Sequence, residues 1–451
     1  MERANEMETL DIKKLAFKIS TPMIISMISI ALYGIVDTMF VSGVSDAALT
    51  TISLATPIVL IITAIGLGTG IGVNTILAKT LGEKDNEKAT KIILTGIILI
   101  FISWLVVATI SICGLEIFFK YFTNNKEIQK LGYDYLSVIS IFSIGTLFQI
   151  LFEKILEAYG KAKSSMIVQF SGAIINLIVD PILIFGLGNI PALGIKGAAI
   201  STIIGQIFGM LIGVYFIVKN KIICKKDIAN FKLDKNIVKD IYKVGVPTMI
   251  LESVSAFITL ILNKILIIFS EAAVSVWGIY CQLQRFVIII VYGLNYGMIP
   301  IIAYNWGAKK KSRVKDSIKF FLKLAIIVTA IGTILFLIVP VQLASIYAVS
   351  NEILEFAVPA FRILSLGFVF AGISLVLSAT CQAFGNGTYS LIINLSRKII
   401  IALPLIFILK GILGIYAIWI SFVISEIVTL IIAIFLYKKI DKNIIENICE
   451  E

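Results

Sequence analysis

The residues best suited to chemistry lie in the apolar stretch 173–184, which contains Asn176, Asp180 and Pro181. An ionisable residue at membrane depth is costly and marks a functional site by default. Asn176 and Asp180 are four residues apart, so a helix places them on one face. Pro181 has no N–H and leaves the carbonyl oxygen of Leu177 without its helical donor. Carboxylate, carboxamide and carbonyl oxygens are the ligands that a hard cation or a proton relay uses.

The composition places these residues in a membrane protein. The chain has 451 residues, of which 59% are hydrophobic and 15% charged, and its mean hydropathy is +1.00. A soluble domain of this size does not need so much apolar surface. The five cysteines form no CxxC pair and histidine is absent, which removes the usual metal ligands and the usual pH switch. Any proton chemistry must therefore use Asp and Glu.

Twelve apolar runs are long enough to cross a bilayer as helices. They lie at 15–41, 51–78, 92–115, 131–152, 164–187, 195–218, 244–269, 273–303, 318–340, 353–384, 388–409 and 412–437. An even number of spans puts both termini on the same side of the membrane. The connections on that side carry most of the 39 lysines and arginines, and we count Arg397 and Lys398 among them. This bias predicts cytoplasmic termini, and the formal charge of +11 indicates orientation, not nucleic-acid binding.

The chain repeats itself at a constant spacing along the sequence. The matched pairs are Pro22 with Pro247, the stretch 78–82 with 303–307, and the stretch 157–160 with 382–385. This repeat spacing covers six spans, so both halves run in the same direction through the membrane. We predict an all-α membrane protein of two parallel six-helix bundles. The predicted domains are an N-terminal lobe at 1–218, a cytoplasmic linker at 219–243 and a C-terminal lobe at 244–451.

Four polar residues share one depth in the outer half of the N-terminal lobe. They are Asp37, Asn176, Asp180 and Thr202. The basic residues within spans (Lys264, Arg285 and Arg362) all belong to the C-terminal half. Two close carboxylates in a low dielectric need a bound cation or a shared proton, and either would couple to transport. The alternatives are that Asp37 is interfacial and solvated, and that Asp180 pairs with a basic side chain while Pro181 only shapes its helix.

Other polar residues in the spans suggest different roles. For Glu252 and Glu426 we expect ion pairs with the basic residues of the C-terminal half, and a role in coupling stays open. Gln149 and Glu153 are four residues apart near the cytoplasmic end of the fourth span. They either line a substrate cavity or face water.

Seven motifs, spread in order over nearly the whole chain, carry a family resemblance. They are VDTMF at 36–40, LGEKD at 81–85, NLIVDP at 176–181, GIKGAAIST at 194–202, PIIAYNWGA at 300–308, CQAFG at 381–385, and SR at 396–397 with LP at 403–404. With these motifs the chain resembles the multidrug and toxic compound extrusion (MATE) transporters. It is most similar to the prokaryotic branch with MepA-like and DinF-like members.

The resemblance implies a V-shaped exporter of two lobes and twelve helices, driven by Na⁺ or H⁺. Asp37, Asn176, Asp180 and Thr202 match the positions of that branch's cation site, and Tyr33 falls near its substrate cavity. Glu252 lies closer to Pro247 than the C-lobe acid of other branches does, so no C-lobe cation site is carried over. The segment 153–157 is more acidic than is typical of the family, which favours cationic substrates.

The predicted function is cation-coupled antiport that exports amphipathic, often cationic compounds by alternating access. We expect a multi-pass protein of the cell membrane, acting as a monomer, with membrane lipid as its surroundings and no cofactor besides the coupling H⁺ or Na⁺. The alternative is a flippase of lipid-linked oligosaccharide from the same superfamily, though such chains usually have more spans. A major-facilitator transporter would carry a Gly-Asp-Arg-Arg arrangement that the connection at 81–88 lacks. An intramembrane enzyme needs a nucleophile–base set or metal ligands at one depth, which this chain does not offer.

Overall fold

The computed structural model describes residues 4–188, 190–223, 231–266, 271–347 and 351–449. These ranges are helical apart from short connections and one isolated bridge between Leu187 and Ile190. The helices of the first half are α1 (Ala4–Thr9), α2 (Ile12–Ser42), α3 (Asp46–Gly82), α4 (Asn86–Phe122), α5 (Lys126–Ile141), α6 (Ile144–Ala158), α7 (Ala162–Phe185) and α8 (Ile195–Lys219). Those of the second half are α9 (Lys235–Leu266), α10 (Glu271–Gly307), α11 (Lys311–Ile338), α12 (Pro340–Ser345), α13 (Asn351–Ser365), α14 (Phe368–Ala383), α15 (Gly387–Leu395), α16 (Ala402–Leu413) and α17 (Tyr416–Ile440).

The predicted all-α membrane fold is confirmed. Within the described residues, nine helical segments are long and apolar enough to cross a membrane, and two bent helix pairs bring the number to eleven. Residues 244–266 of the remaining predicted span, 244–269, lie in α9, and 267–269 lie outside the described residues. A π-helical segment, Ser396–Ile400, joins α15 to α16, and together they form one span. Sequence positions and helices therefore agree on twelve spans.

The two halves repeat each other in detail at the predicted spacing. The fourth span breaks between α5 and α6 with a bend of 43°, and the tenth breaks between α13 and α14 with a bend of 46°. Lys84 and Lys309 close equivalent turns in the left-handed region, with φ of 61° and 57°. Gly160 and Gly385 do the same, with φ of 68° and 73°. Equivalent residues thus adopt equivalent backbone conformations in both halves.

The chain divides into two compact units whose limits differ from the predicted lobes at 1–218 and 244–451. The N unit is Ile25–Ser253, and the C unit combines Met1–Ile24 with Val254–Glu451. The first part of α2 therefore belongs to the C unit, and the first part of α9 to the N unit. The linker 219–243 lies partly outside the described residues.

Glycine-mediated helix crossings explain these limits. In the N unit a Cβ on Gly68 of α3 would lie 2.6 Å from the carbonyl oxygen of Gly245 on α9. In the C unit a Cβ on Gly293 of α10 would lie 2.7 Å from the Cα atom of Ile24 on α2. By the repeat spacing, Gly293 is the counterpart of Gly68 in the second half. Small residues let membrane helices approach closely. The first part of α9 therefore packs against α3 in the N unit, and the first part of α2 packs against α10 in the C unit.

The helices that carry the N-unit site meet at a similarly close crossing. A Cβ on Gly205 of α8 would lie 2.5 Å from the carbonyl oxygen of Gly172 and 2.9 Å from Cβ of Asn176, both on α7. Backbone atoms cannot yield cheaply, so only glycine allows α7 and α8 to pack at this distance.

We expect Gly205→Val to destabilise the protein by about 1–3 kcal/mol, the usual cost of overpacking a tight contact. Thermal unfolding in detergent measures the effect as a lower midpoint. Gly114→Val is the matched control, because a Cβ at Gly114 meets no atom within 4 Å. An equal midpoint for both variants would contradict the tight crossing.

Candidate functional site

The polar residues predicted on α7 and α8 lie together in the N unit. Asp180 is fully buried and Asn176 is 2% exposed. The hydroxyl of Ser201 donates to Oδ1 of Asp180, and Nδ2 of Asn176 donates to Oγ1 of Thr202 at 3.3 Å. Sequence analysis did not identify Ser201. Its position immediately before Thr202 in the GIKGAAIST motif was the available signal.

Helix α2 brings Asp37 to the same place. Asp37 is half-buried, and its carboxyl group lies beside that of Asp180. Tyr33, one helical turn earlier, lies close to Thr202. Tyr135 of α5 is 8% exposed and lies near both carboxylates. The structure therefore brings together Tyr33 and all four predicted residues, and it adds Tyr135, which no sequence pattern marked.

Three oxygens of this cluster have no hydrogen-bond partner among the described residues. Oδ1 of Asp37, Oδ1 of Asn176 and Oδ2 of Asp180 are all buried and unsatisfied. Neither carboxylate forms an ion pair with a basic residue in the described part of the chain. Buried acceptors normally have partners, and two adjacent carboxylates cannot both stay charged in a low dielectric without compensation. The donor set is made of hard oxygens, so the arrangement fits a proton shared by the acids or a bound Na⁺.

Gln149 and Glu153 are buried, and the interpretation that they face water is wrong. Nε2 of Gln149 donates to Oε1 of Glu153 at 3.0 Å. The side-chain amide of Gln169 lies 3.0 Å from Oε1 of Glu153 and donates a second hydrogen bond when its nitrogen faces that carboxylate. Gln149 also lies beside Gly172, one helical turn before Asn176. These residues line the N-unit interior because α6 packs against both α7 and α8.

The acidic segment 153–157 is partly neutralised by its own lysine. Nζ of Lys154 forms an ion pair with Oε2 of Glu157 at 2.8 Å, and both side chains are buried. The hydroxyl of Ser165 donates to the same carboxylate at 3.1 Å. Lys154 therefore lies buried within α6. Glu153, the other acid of this segment, accepts a hydrogen bond from the neutral amide of Gln149.

Glu426 forms the ion pair expected in the C-terminal half, but its partner differs from the prediction. Arg397 donates to Oε1 of Glu426 from Nε at 3.0 Å and from Nη2 at 2.6 Å. Arg397 is 7% exposed and lies inside a span, so its assignment to the cytoplasmic side was wrong. Arg285 and Arg362 are exposed, the Lys264 side chain lies outside the described residues, and Glu252 is half-buried. The π-helical segment Ser396–Ile400 explains why Arg397 is buried, because it turns this side chain towards α17 in the middle of an apolar span.

Comparison with known proteins agrees with this architecture. The MatE family model matches residues 22–182 and again 247–408, so one model fits each half. Multidrug export protein MepA of Staphylococcus haemolyticus is 28% identical over 434 residues, which cover 95% of this chain and 94% of that protein. A protein of Shewanella oneidensis named FAD transporter is 27% identical over 400 residues, which cover 87% of each chain.

Solved structures share the fold. An outward-facing structure of a multidrug resistance MATE family transporter of the MOP superfamily superposes with a TM-score of 0.91 at 23% identity, and the match covers 98% of both chains. A crystal structure of MATE in complex with MaL6 gives the same TM-score at 23% identity, covering 98% of this chain and 99% of that one. The family model spans more than half of the sequence in two copies. The chain therefore belongs to the MatE family of multi-pass membrane transporters, the MATE proteins.

Proposed function

We propose that this protein is a secondary active antiporter that exports amphipathic compounds across the cell membrane in exchange for H⁺ or Na⁺. The observation that carries the proposal is the pair formed by Asp37 and Asp180. These carboxyl groups lie side by side, have unsatisfied buried oxygens, and lack a basic partner among the described residues. A cation from the outside restores neutrality, and its release to the other side would drive alternation between outward- and inward-open states.

The remaining residues of the cluster have supporting roles in this proposal. Asn176 and Thr202 supply neutral oxygens to the cation, and Ser201 orients the carboxylate of Asp180. Tyr33 links the cation site to the substrate cavity, because a substrate that displaces Tyr33 disturbs its contact with Thr202. The proposed working form is a monomer surrounded by membrane lipid, with both termini in the cytoplasm.

The proposed substrates are amphipathic compounds, often cationic. The relative from Staphylococcus haemolyticus is named for multidrug export, which supports a broad substrate range. Glu153 is the acid that would favour cations, with Gln149 beside it in the N-unit interior. The relative from Shewanella oneidensis is named for the transport of FAD, which is an anion. A flippase function has no comparable support, because neither relative is named for a lipid.

The proposal is tested by ethidium efflux from proteoliposomes that contain the full-length protein. The Na⁺ gradient and the pH gradient are imposed separately at equal membrane potential. We expect efflux to follow one of the two gradients and to stop when an ionophore collapses it. Efflux that follows neither gradient, from protein that is folded by circular dichroism, would contradict cation-coupled export.

A further inference from the structure

The C unit contains a cavity that the proposed export cycle does not use. The cavity has a volume of about 160 Å³ and lies among α9, α10, α14, α17 and the π-helical segment Ser396–Ile400. An apolar cavity of about 150 Å³ is large enough to bind benzene. The space therefore suits a single aromatic ring and is too small for most drug-sized molecules.

Four aromatic rings form the walls of this cavity. Trp277 and Phe422 stack with ring centroids 4.8 Å apart and an interplanar angle of 25°. Tyr280 and Phe368 stack at 6.2 Å with an angle of 29°. All four residues face the cavity. Aromatic walls with near-parallel rings favour a flat ligand that can stack or approach them edge to face.

Charged side chains form the polar side of the cavity. Arg397 and Lys398 line it together with Glu426, which gives two cationic groups against one carboxylate. Both hydrogen bonds from Arg397 go to Oε1 of Glu426, while the buried Oε2 accepts none from the part of the chain that the structure describes. Arg397 is held in place through its backbone, because the hydroxyl of Ser425 donates to its carbonyl oxygen. π-Helical segments such as Ser396–Ile400 occur frequently at functional sites.

The repeat relates this cavity to the acid pair of the N unit. By the repeat spacing, Leu262, which lines the cavity, is the counterpart of Asp37. The connection before the last helix is shorter in the second half than in the first, so the repeat spacing is smaller beyond it. Gly414 corresponds there to Gly194 and has the same φ of 55° and ψ of −133°. Phe422 of the cavity then corresponds to the threonine of the cation site. The second half thus has apolar side chains where the first has an acid and a hydroxyl, so it offers no equivalent cation ligands at this position.

We propose that this cavity binds aromatic carboxylates, with the ring between the four aromatic side chains and the carboxylate beside Arg397 and Lys398. Guanidinium groups bind carboxylates with matched geometry, and the guanidinium group of Arg397 lines the polar side of the cavity. The inference is independent of the exported substrate, because it concerns equilibrium binding within the C unit.

Binding of radiolabelled benzoate to the purified full-length protein tests the proposal. We expect saturable binding that ring-matched benzylammonium and benzyl alcohol do not displace. Ala371→Met fills the cavity without removing the ion pair, and Arg397→Met removes the anion partner. Each should weaken benzoate binding at least tenfold. Glu426→Gln removes the competing negative charge and should strengthen binding several-fold.

Arg285→Met is the matched control, because Arg285 is an exposed cation on the same helix as Trp277 and does not line the cavity. Its benzoate affinity should equal that of the wild type. Unchanged binding in folded Ala371→Met protein would overturn the proposal, as would equal competition by benzylammonium. A weaker affinity in Glu426→Gln would overturn the assigned charge preference, and so would the absence of saturable binding.

Discussion

Asp180→Asn is expected to abolish gradient-driven efflux, with a loss of at least about tenfold in initial rate. The amide has nearly the shape of the carboxyl group and can still accept the hydrogen bond from Ser201, so we expect the fold to be retained. It cannot bind a proton or contribute negative charge to a bound Na⁺. The variant would therefore remain in a state that resembles the cation-loaded one, and the imposed cation gradient could not drive efflux.

The loss should concern coupling more than substrate recognition. Equilibrium binding of ethidium to purified Asp180→Asn protein should stay within about threefold of the wild type, because Asp180 is fully buried and bonded within the helix pair. Asp240→Asn is the control, since Asp240 is an exposed acid of the same unit. Gradient-driven efflux at wild-type rate in Asp180→Asn protein would exclude Asp180 as a coupling residue.

The second large effect is expected at the buried ion pair of the C unit. Arg397→Met should lower the free energy of unfolding by about 3–5 kcal/mol, because it leaves the carboxylate of Glu426 buried without its partner. The side chains of Arg397 and Glu426 are only 8% and 12% exposed, so water cannot replace the lost interaction. The cost should appear as a strong shift of the SDS unfolding transition in mixed micelles.

Replacing both partners separates this effect from simple loss of packing. The double variant with Arg397→Met and Glu426→Leu should recover most of the lost stability, because a well-packed apolar pair avoids the cost of an unpaired buried charge. If the double variant is as unstable as Arg397→Met alone, the ion-pair explanation is wrong. Arg397 would then stabilise the π-helical segment by packing, through its long apolar stem.

Much of the fold could be predicted because its signals are local or periodic. Long apolar runs define the twelve spans, and the constant spacing between matching motifs defines two parallel halves. The cluster around Asp180 was predictable from depth alone, since membrane topology places Asp37, Asp180 and Thr202 at one level. Hydropathy could not show that Tyr135 and Ser201 join this cluster, because that depends on how the helices rotate against one another.

The largest error concerned Arg397, and its cause is physical. Counting lysines and arginines assigns each cation to the nearer membrane surface, which presumes that no acid is available at depth. Here Glu426 is one helix away, and the π-helical segment Ser396–Ile400 directs Arg397 towards it. The limits of the units were missed for a related reason. Only the close crossings at Gly68 and Gly293 reveal that the two long helices change partners along their length.

Direct measurement of cation binding tests the central claim about the acid pair. Purified protein in weakly buffered detergent solution is titrated with acid, and in parallel with ²²Na⁺, and the bound cations per chain are counted. We predict one cation per chain in the wild type that is lost in the double variant Asp37→Asn, Asp180→Asn but retained in Asp240→Asn. An unchanged number of bound cations in the double variant would contradict the assignment of the coupling site to Asp37 and Asp180.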